Sequence, residues 1–388
     1  MSDLAVPLGA RLIHVGPSKT GTTTIQLAMH HSRAELAAHG VHYPGTGHRP
    51  KAATIDVRRP PGDRTGDWDE LVAEVRSSTA DRVCISSESL SVLGAEGAAE
   101  VVRSLGDEAV HVVMAVRPID ALLPSMWQQR VRRLVGIPSY DDWLRSVLLG
   151  GPDDPSAAAF WSIHDLERQI RDWSAAAGPE RVTVIVVEEG DHAVLPNTFE
   201  DLLDLPRGTL TPKVRARNVS LDRASTELLR ELDRAALERG WTEGTYVRTI
   251  RSPLVDYLRK QPRDAASSRS LPSWAAEQAY EINTARADLL ATTSVRVVGD
   301  PDSLRPHRRT IAVEEAAPDP KIAVEIAAGV AALAADLVRE RHEVELGRKQ
   351  DRIAKLERQL ARAEAAPSTP ELPPRRIAVR VRGMLTRR

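Results

Sequence analysis

Leu12-Ile13-His14-Val15-Gly16-Pro17-Ser18-Lys19-Thr20-Gly21-Thr22-Thr23-Thr24 decides the architecture of this chain. Leu12 to Val15 is an apolar, β-branched run suited to a buried strand. Thr22 to Ala38 carries Ile25, Leu27, Ala28 and Leu36 at positions that suit a packed helix. The loop between them opens at a helix N-terminus, where unsatisfied N–H groups and the positive end of the helix dipole favour an anion. Thr22, Thr23 and Thr24 are expected to add hydroxyl donors. Gly16 and Gly21 keep the glycine spacing of a phosphate-binding loop, G-x-x-x-x-G-K-[ST], but Thr22 stands where the lysine that reaches β- and γ-phosphates belongs. Lys19 lies inside the loop instead, beside a single phosphate and one group to be transferred rather than along a polyphosphate tail. Only seven of the 53 Lys and Arg residues are lysines, so a lysine here is not the chain's default cation. An ordinary strand, turn and helix with a solvated lysine is the plainer alternative.

A second constellation lies downstream. Ala109 to Val116 is another apolar run of strand length, ending at Arg117-Pro118-Ile119-Asp120, and a helical stretch follows with Ser125 two turns in. Proline is tolerated in a first helical turn, which puts Arg117 at the C-terminal end of a strand. Between the two constellations, Arg82-Val83-Cys84-Ile85-Ser86-Ser87-Glu88-Ser89-Leu90 reads as a short strand ending in a polar cluster. If the strands are parallel, Glu88 shares a rim with Lys19 and Arg117, where ligands of open α/β sheets collect. A carboxylate there suits a general base, and Ser-Ser-Glu-Ser equally suits a helix cap.

The K-T-G-T-T run after a strand resembles the 5′-phosphosulfate loop of the sulfotransferases that use 3′-phosphoadenosine 5′-phosphosulfate (PAPS), and R-P-x-D-x-x-x-x-S is similar to their 3′-phosphate motif. The S-S-E-S-L segment resembles the position where carbohydrate-modifying members carry a glutamate base. Arg181 to Val187 with Glu188-Glu189 and Phe199-Glu200-Asp201-Leu202-Leu203, and the junction Arg217-Asn218-Val219-Ser220-Leu221, resemble the bacterial branch less specifically. The R-K-G motif of the enzymes acting on phenols and steroids is missing. The resemblance covers residues 10 to 300 and implies PAPS as donor, 3′,5′-bisphosphoadenosine (PAP) as product, no metal, and a hydroxylated small molecule, glycan or glycolipid as acceptor. It implies that Lys19 and Glu88 are catalytic, that Ser18, Lys19, Thr20, Gly21, Thr22 and Thr23 hold the 5′-phosphate, and that Arg117 and Ser125 hold the 3′-phosphate. A P-loop nucleotide kinase and a non-catalytic glycan-binding or scaffold protein remain as alternatives.

Composition bounds the rest. A net charge of −1 argues against nucleic-acid partners. His14, His30, His31, His39, His42 and His48 crowd the first fifty residues, yet no H-E-x-x-H or C-x-x-C spacing accompanies them. Cys84 is the single cysteine, which excludes an internal disulfide. No apolar run approaches a membrane span and no secretory leader is visible, so a cytoplasmic location is expected. Strands near 11–15, 82–86, 109–116 and 181–187 alternate with helical text. They predict a P-loop-like three-layer α/β/α fold with a central parallel sheet and a C-terminal helical extension.

The sulfotransferase-like domain is expected over residues 1–300, with helical pieces at Leu221 to Glu238, Tyr246 to Lys260 and Ser273 to Leu290 walling the acceptor cleft, and a turn-rich, mobile stretch at 40–70. A proline-bearing linker (301–320) leads to a long helix or short coiled coil (321–366), where Leu346, Ile353 and Leu360 recur at seven-residue intervals and suit self-association. The Pro/Arg-rich tail (367–388) suits peripheral contact with the inner face of a membrane, and a solvated tail is the plainer alternative.

Overall fold

The computed structural model describes residues 3–131, 138–188, 190–211, 221–260, 271–305 and 324–364. Its centre is one sheet of six strands: β1 (Arg11–His14), β2 (Val41–His42), β3 (Arg82–Ser86), β4 (Val110–Val116), β5 (Val182–Val186) and β6 (Arg296–Val298). They lie in the order β2-β3-β1-β4-β5-β6, and every neighbouring pair is parallel. β1 is central, with Ile13 opposite Ile85 on one side and Val112 on the other.

Parallel strands need covering connections on both faces, so their sequences are apolar on both faces. In β4, Val110, Val112, Met114 and Val116 enter one core with Trp68, Val101 and Trp173, whereas Val113 and Ala115 enter the other with Ile25, Met29 and Phe199. Helix Thr22–His31, which follows β1, packs into the second core. The connections leaving β3 and β4 pass through Ala95–Leu105 and Leu166–Ala177 and pack into the first. The chain therefore leaves β1 toward one face and leaves both its neighbours toward the other, which opens a crevice at the carboxyl ends on each side of β1. The architecture is α/β, with helices on both faces of an all-parallel sheet.

Four local expectations change. The helix expected over Thr22 to Ala38 is broken into Thr22–His31 and Arg33–Ala38, because Ser32 turns its Oγ to the Thr209 carbonyl at 2.9 Å. The stretch at 40–70 keeps its turns but also contains β2 and helix Lys51–Asp56. The buried carboxylate of Asp56 fixes the following turn by accepting from the N–H groups of Thr65, Gly66 and Trp68. The helical piece expected from Tyr246 divides into Glu243–Tyr246, a π-turn at Val247–Arg251, and Ser252–Lys260. Packing also continues past residue 300, since Leu304 is fully buried in the first core and Arg305 pairs with Asp288 at 2.6 Å.

Residues 1–323 and 324–388 form two separate units. The second contains helix Val324–Glu364, with Leu346, Ile353, Leu356 and Leu360 exposed along it. Most of the expected linker and all of the basic tail lie outside the described residues. Among the described residues no helix is long and apolar enough to cross a membrane.

Candidate active site

The loop after β1 is shaped by two glycines. A Cβ on Gly16 would stand 2.3 Å from His14 Nε2 and 2.7 Å from Thr22 Oγ1. Gly21 has φ +95°, and a Cβ there would stand 2.7 Å from Leu195 Cδ2. Neither position has room for a larger residue, which gives the glycine spacing a steric cause. Lys19 adopts φ +70°, a left-handed conformation that costs a non-glycine residue about 1–3 kcal/mol. Its carbonyl accepts a hydrogen bond from Arg117 Nη1 at 3.0 Å, a contact between residues 98 apart in sequence.

The threonines divide their roles. Thr20 Oγ1 donates to the Pro17 carbonyl at 2.8 Å, and Thr22 Oγ1 donates to the same carbonyl at 3.1 Å. Both side chains are buried, so these hydroxyl protons brace the loop rather than face a ligand, contrary to the expectation for Thr22. Thr23 and Thr24 are exposed. Because the helix begins at Thr22, the N–H groups of Thr22 and Thr23 have no intrahelical acceptor, and these are the donors the loop offers to an anion. Ser18, half-buried, turns its Oγ to the sulfur of Met126 at 3.4 Å.

Met126 lies on helix Ile119–Val131, one position after Ser125, which is half-buried on the same helix. Ser18, Lys19 and Arg117 are thus gathered where β1 and β4 end, and Ser125 lies on the helix that Ser18 touches. Asn283 fixes this helix start: fully buried, it accepts the Ile119 N–H at 2.8 Å and donates to Asp120 Oδ1 at 2.8 Å. The aspartate of the R-P-x-D pattern therefore orients a capping amide.

On the other flank of β1, Glu88 begins a 3₁₀ turn, Glu88–Val92, whose cap is Ser87: its Oγ accepts the Ser89 N–H at 3.3 Å. Glu88 is not the cap. One carboxylate oxygen is ion-paired with Arg49, and the other accepts from Gln26 Nε2 at 3.1 Å. Neither partner was indicated by the sequence. Gln26 faces inward from the first helix, and Arg49 comes from a segment read as turn.

His14, the last residue of β1, is fully buried between Ser86, whose Oγ lies 2.8 Å from its Nδ1, and the ring of Phe199. Burial pushes its pKa down to about 3, so it is neutral at physiological pH. Burial likewise raises the Cys84 thiol well above its usual range, which removes it as a nucleophile. Among the described residues no group of three or more His, Cys, Asp or Glu side chains could hold a metal ion. A small pocket lies between the loop and the end of β4, with Pro17, Thr20 and Arg117 on one side and His164, Gln169 and Arg286 on the other.

No protein-family model, curated protein or solved structure matches the chain. The site therefore has to be judged on its own chemistry. A helix N-terminus, a lysine-bearing loop and an arginine hydrogen-bonded to that loop suit a phosphorylated ligand, and a carboxylate stands across β1. Arg217, Asn218 and Ser220, the other residues singled out in the sequence, lie outside the described residues.

Proposed function

We propose that this protein is a sulfotransferase with a P-loop-like fold, moving a sulfuryl group from PAPS to a hydroxyl of a carbohydrate or glycolipid acceptor. The observation that carries the reading is the hydrogen bond from Arg117 to the Lys19 carbonyl, which joins two sequence motifs into one rim. In this reading the N–H groups at Thr22 and Thr23, with Ser18, Thr20 and Gly21 around them, hold the 5′-phosphate. Arg117 and Ser125 take the 3′-phosphate.

PAPS supplies a sulfuryl group whose bond to the 5′-phosphate oxygen breaks as the acceptor oxygen bonds to sulfur. The ammonium of Lys19 stabilises the charge that develops on the departing oxygen, a preorganised electrostatic contribution. Glu88 takes the acceptor's proton, which requires one of its oxygens to exchange Arg49 or Gln26 for the acceptor hydroxyl. A catalytically silent glycan-binding or scaffold protein is favoured by one observation, this double pairing of Glu88. Turnover separates the two readings.

The cofactor assignment is tested by comparing PAP with AMP. PAP is expected to bind far more tightly, and Arg117→Ala to remove about 1.5–3 kcal/mol of that difference, the worth of a charge-assisted hydrogen bond. Equal affinities in the wild-type protein would refute the assignment, and preference for ATP would point to a kinase.

A further inference from the structure

The pocket beneath Arg117 is lined by three side chains from three helices, Pro155–His164, Leu166–Ala177 and Ser273–Thr292, each keeping a polar atom with no hydrogen-bond partner among the described residues. These atoms are His164 Nε2, Gln169 Oε1 and Arg286 Nη1. His164, Gln169 and Arg286 are each more than nine-tenths buried. A buried polar atom without a partner costs about 1–3 kcal/mol, more for a charged group. Three in one pocket point to a ligand rather than to separate accidents of packing.

Their chemistry is defined. Arg286 gives its Nη2 to the His164 carbonyl and has no carboxylate within ion-pair distance among the described residues, so its guanidinium is a buried cation with no anion in contact and with Asp165 acting on it only from farther away. Burial pushes its pKa down to about 10, which leaves it charged at neutral pH. Gln169 Nε2 donates to the Ile163 carbonyl, which fixes the amide so that its oxygen remains as an acceptor. His164 is driven by burial to a pKa of about 3 and is neutral, able to donate or accept according to tautomer. One cation and one fixed acceptor match a P–O–H group, which receives from the guanidinium and donates to the amide oxygen. The enclosed space admits a single oxygen-sized group and reaches Arg117, which is partly exposed. A lone buried water would meet the same three atoms but leave the guanidinium without an anion.

We propose that Arg286, Gln169 and His164 form a phosphate subsite that receives one protonated oxygen of a phosphate whose remaining oxygens stay at the mouth beside Arg117. The phosphate belongs either to the nucleotide held by the loop or to free inorganic phosphate. The subsite follows from the pocket itself and does not require sulfuryl transfer.

Thermal melting of the full-length protein is followed against sodium phosphate, sodium sulfate and sodium chloride at matched ionic strength. Phosphate is expected to raise Tm saturably, chloride not at all, and sulfate less than phosphate, because sulfate carries no proton for Gln169 at neutral pH. Arg286→Met is expected to weaken phosphate about tenfold or more, and Gln169→Leu to abolish the preference for phosphate over sulfate. The proposal is overturned if phosphate acts no differently from chloride, if sulfate equals phosphate in the wild type, or if Arg286→Met binds phosphate unchanged. Should Arg286→Met fail to fold, the wild-type titrations and Gln169→Leu still decide. Competition between phosphate and PAP that Arg286→Met removes assigns the subsite to the nucleotide, and independent binding assigns it to free phosphate. Failure of PAP to bind while the phosphate response persists would refute the sulfotransferase reading and leave the subsite standing.

Discussion

The two crevices beside β1 are built from similar parts but are balanced differently. On the β3 side, Glu88 has one oxygen against Arg49 and the other against Gln26. Both oxygens of the Glu88 carboxylate are thus paired within the protein, while Gln26 Oε1 and Arg49 Nε are buried without a partner among the described residues. On the β4 side, His164, Gln169 and Arg286 each retain a buried atom unpartnered among the described residues, and Arg286 has Asp165 as a charge neighbour but no carboxylate paired with it among those residues. A crevice whose carboxylate is already paired gains no proton acceptor until a pair is broken. One whose groups remain unsatisfied gains as soon as a complementary ligand arrives. On the proposed reading, the contrast favours phosphate binding on the β4 flank and makes proton transfer by Glu88 on the β3 flank conditional on an exchange of partners.

The largest expected effect tests that conditional flank. Glu88→Gln should leave PAP affinity intact, because no cofactor contact is removed, and should lower sulfate transfer to a carbohydrate acceptor by roughly 10²–10⁴. Since Ser87 holds the cap, helix stability should barely change. Near-normal turnover would make the β3 flank purely structural.

Acid should disturb both flanks, with a sign that can be worked out. His14 and His164 have folded pKa values of about 3, below the ordinary 6.5. At and above pH 6.5 the stability tied to them is fully present. As pH falls from 6.5 toward 3 the unfolded chain takes up protons that the folded chain refuses, and stability declines by an order of a few kcal/mol. Urea melts across this range should show the decline. His14→Gln and His164→Gln should each flatten part of it, and a slope unchanged in both variants would show that other groups set the acid limit.

A smaller effect probes the strand between the flanks. Gly16→Ala drives a methyl against His14 Nε2 and Thr22 Oγ1, and a loss of about 1–3 kcal/mol in chemical denaturation is expected. A neutral result would mean that the loop can relax away from His14. Smallest of all, ending the chain at Ala323, the boundary between the two units, should leave PAP affinity and Tm unchanged and lower self-association measured by sedimentation. Loss of PAP binding would show that the long helix completes the site.

Four of the six strands were legible because each carries a mostly apolar run rich in β-branched residues, as in Val110–Val116. β2 was not, since two residues at a sheet edge carry no periodicity. The break at Ser32 depends on a carbonyl 177 residues away, which no local pattern encodes. The same limit applies to the site. Gly16, Lys19 and Gly21 could be read because a glycine loop is local in sequence. Arg49 and Gln26 could not, since they meet Glu88 only when a helix and a loop from different crossovers converge. His164 carries no local signal, because the Arg286 that meets it is 122 residues away. The capping text Ser-Ser-Glu-Ser was ambiguous by one residue, and only the geometry gives the role to Ser87.

Asn283 and Arg286 stand on one helix, Ser273–Thr292, and between them cap the helix after Arg117 and line the pocket beneath it. During synthesis this has a temporal meaning. At about 5–20 residues per second, roughly ten to thirty seconds separate the emergence of Arg117 from that of Asn283. Throughout that interval the nascent chain possesses its glycine loop and four, then five, of its six strands, yet lacks the helix that caps and backs the rim. If the loop binds a nucleotide as proposed, capture is expected to wait until the ribosome has nearly finished the compact unit, and a chain interrupted before this helix is expected not to sequester it.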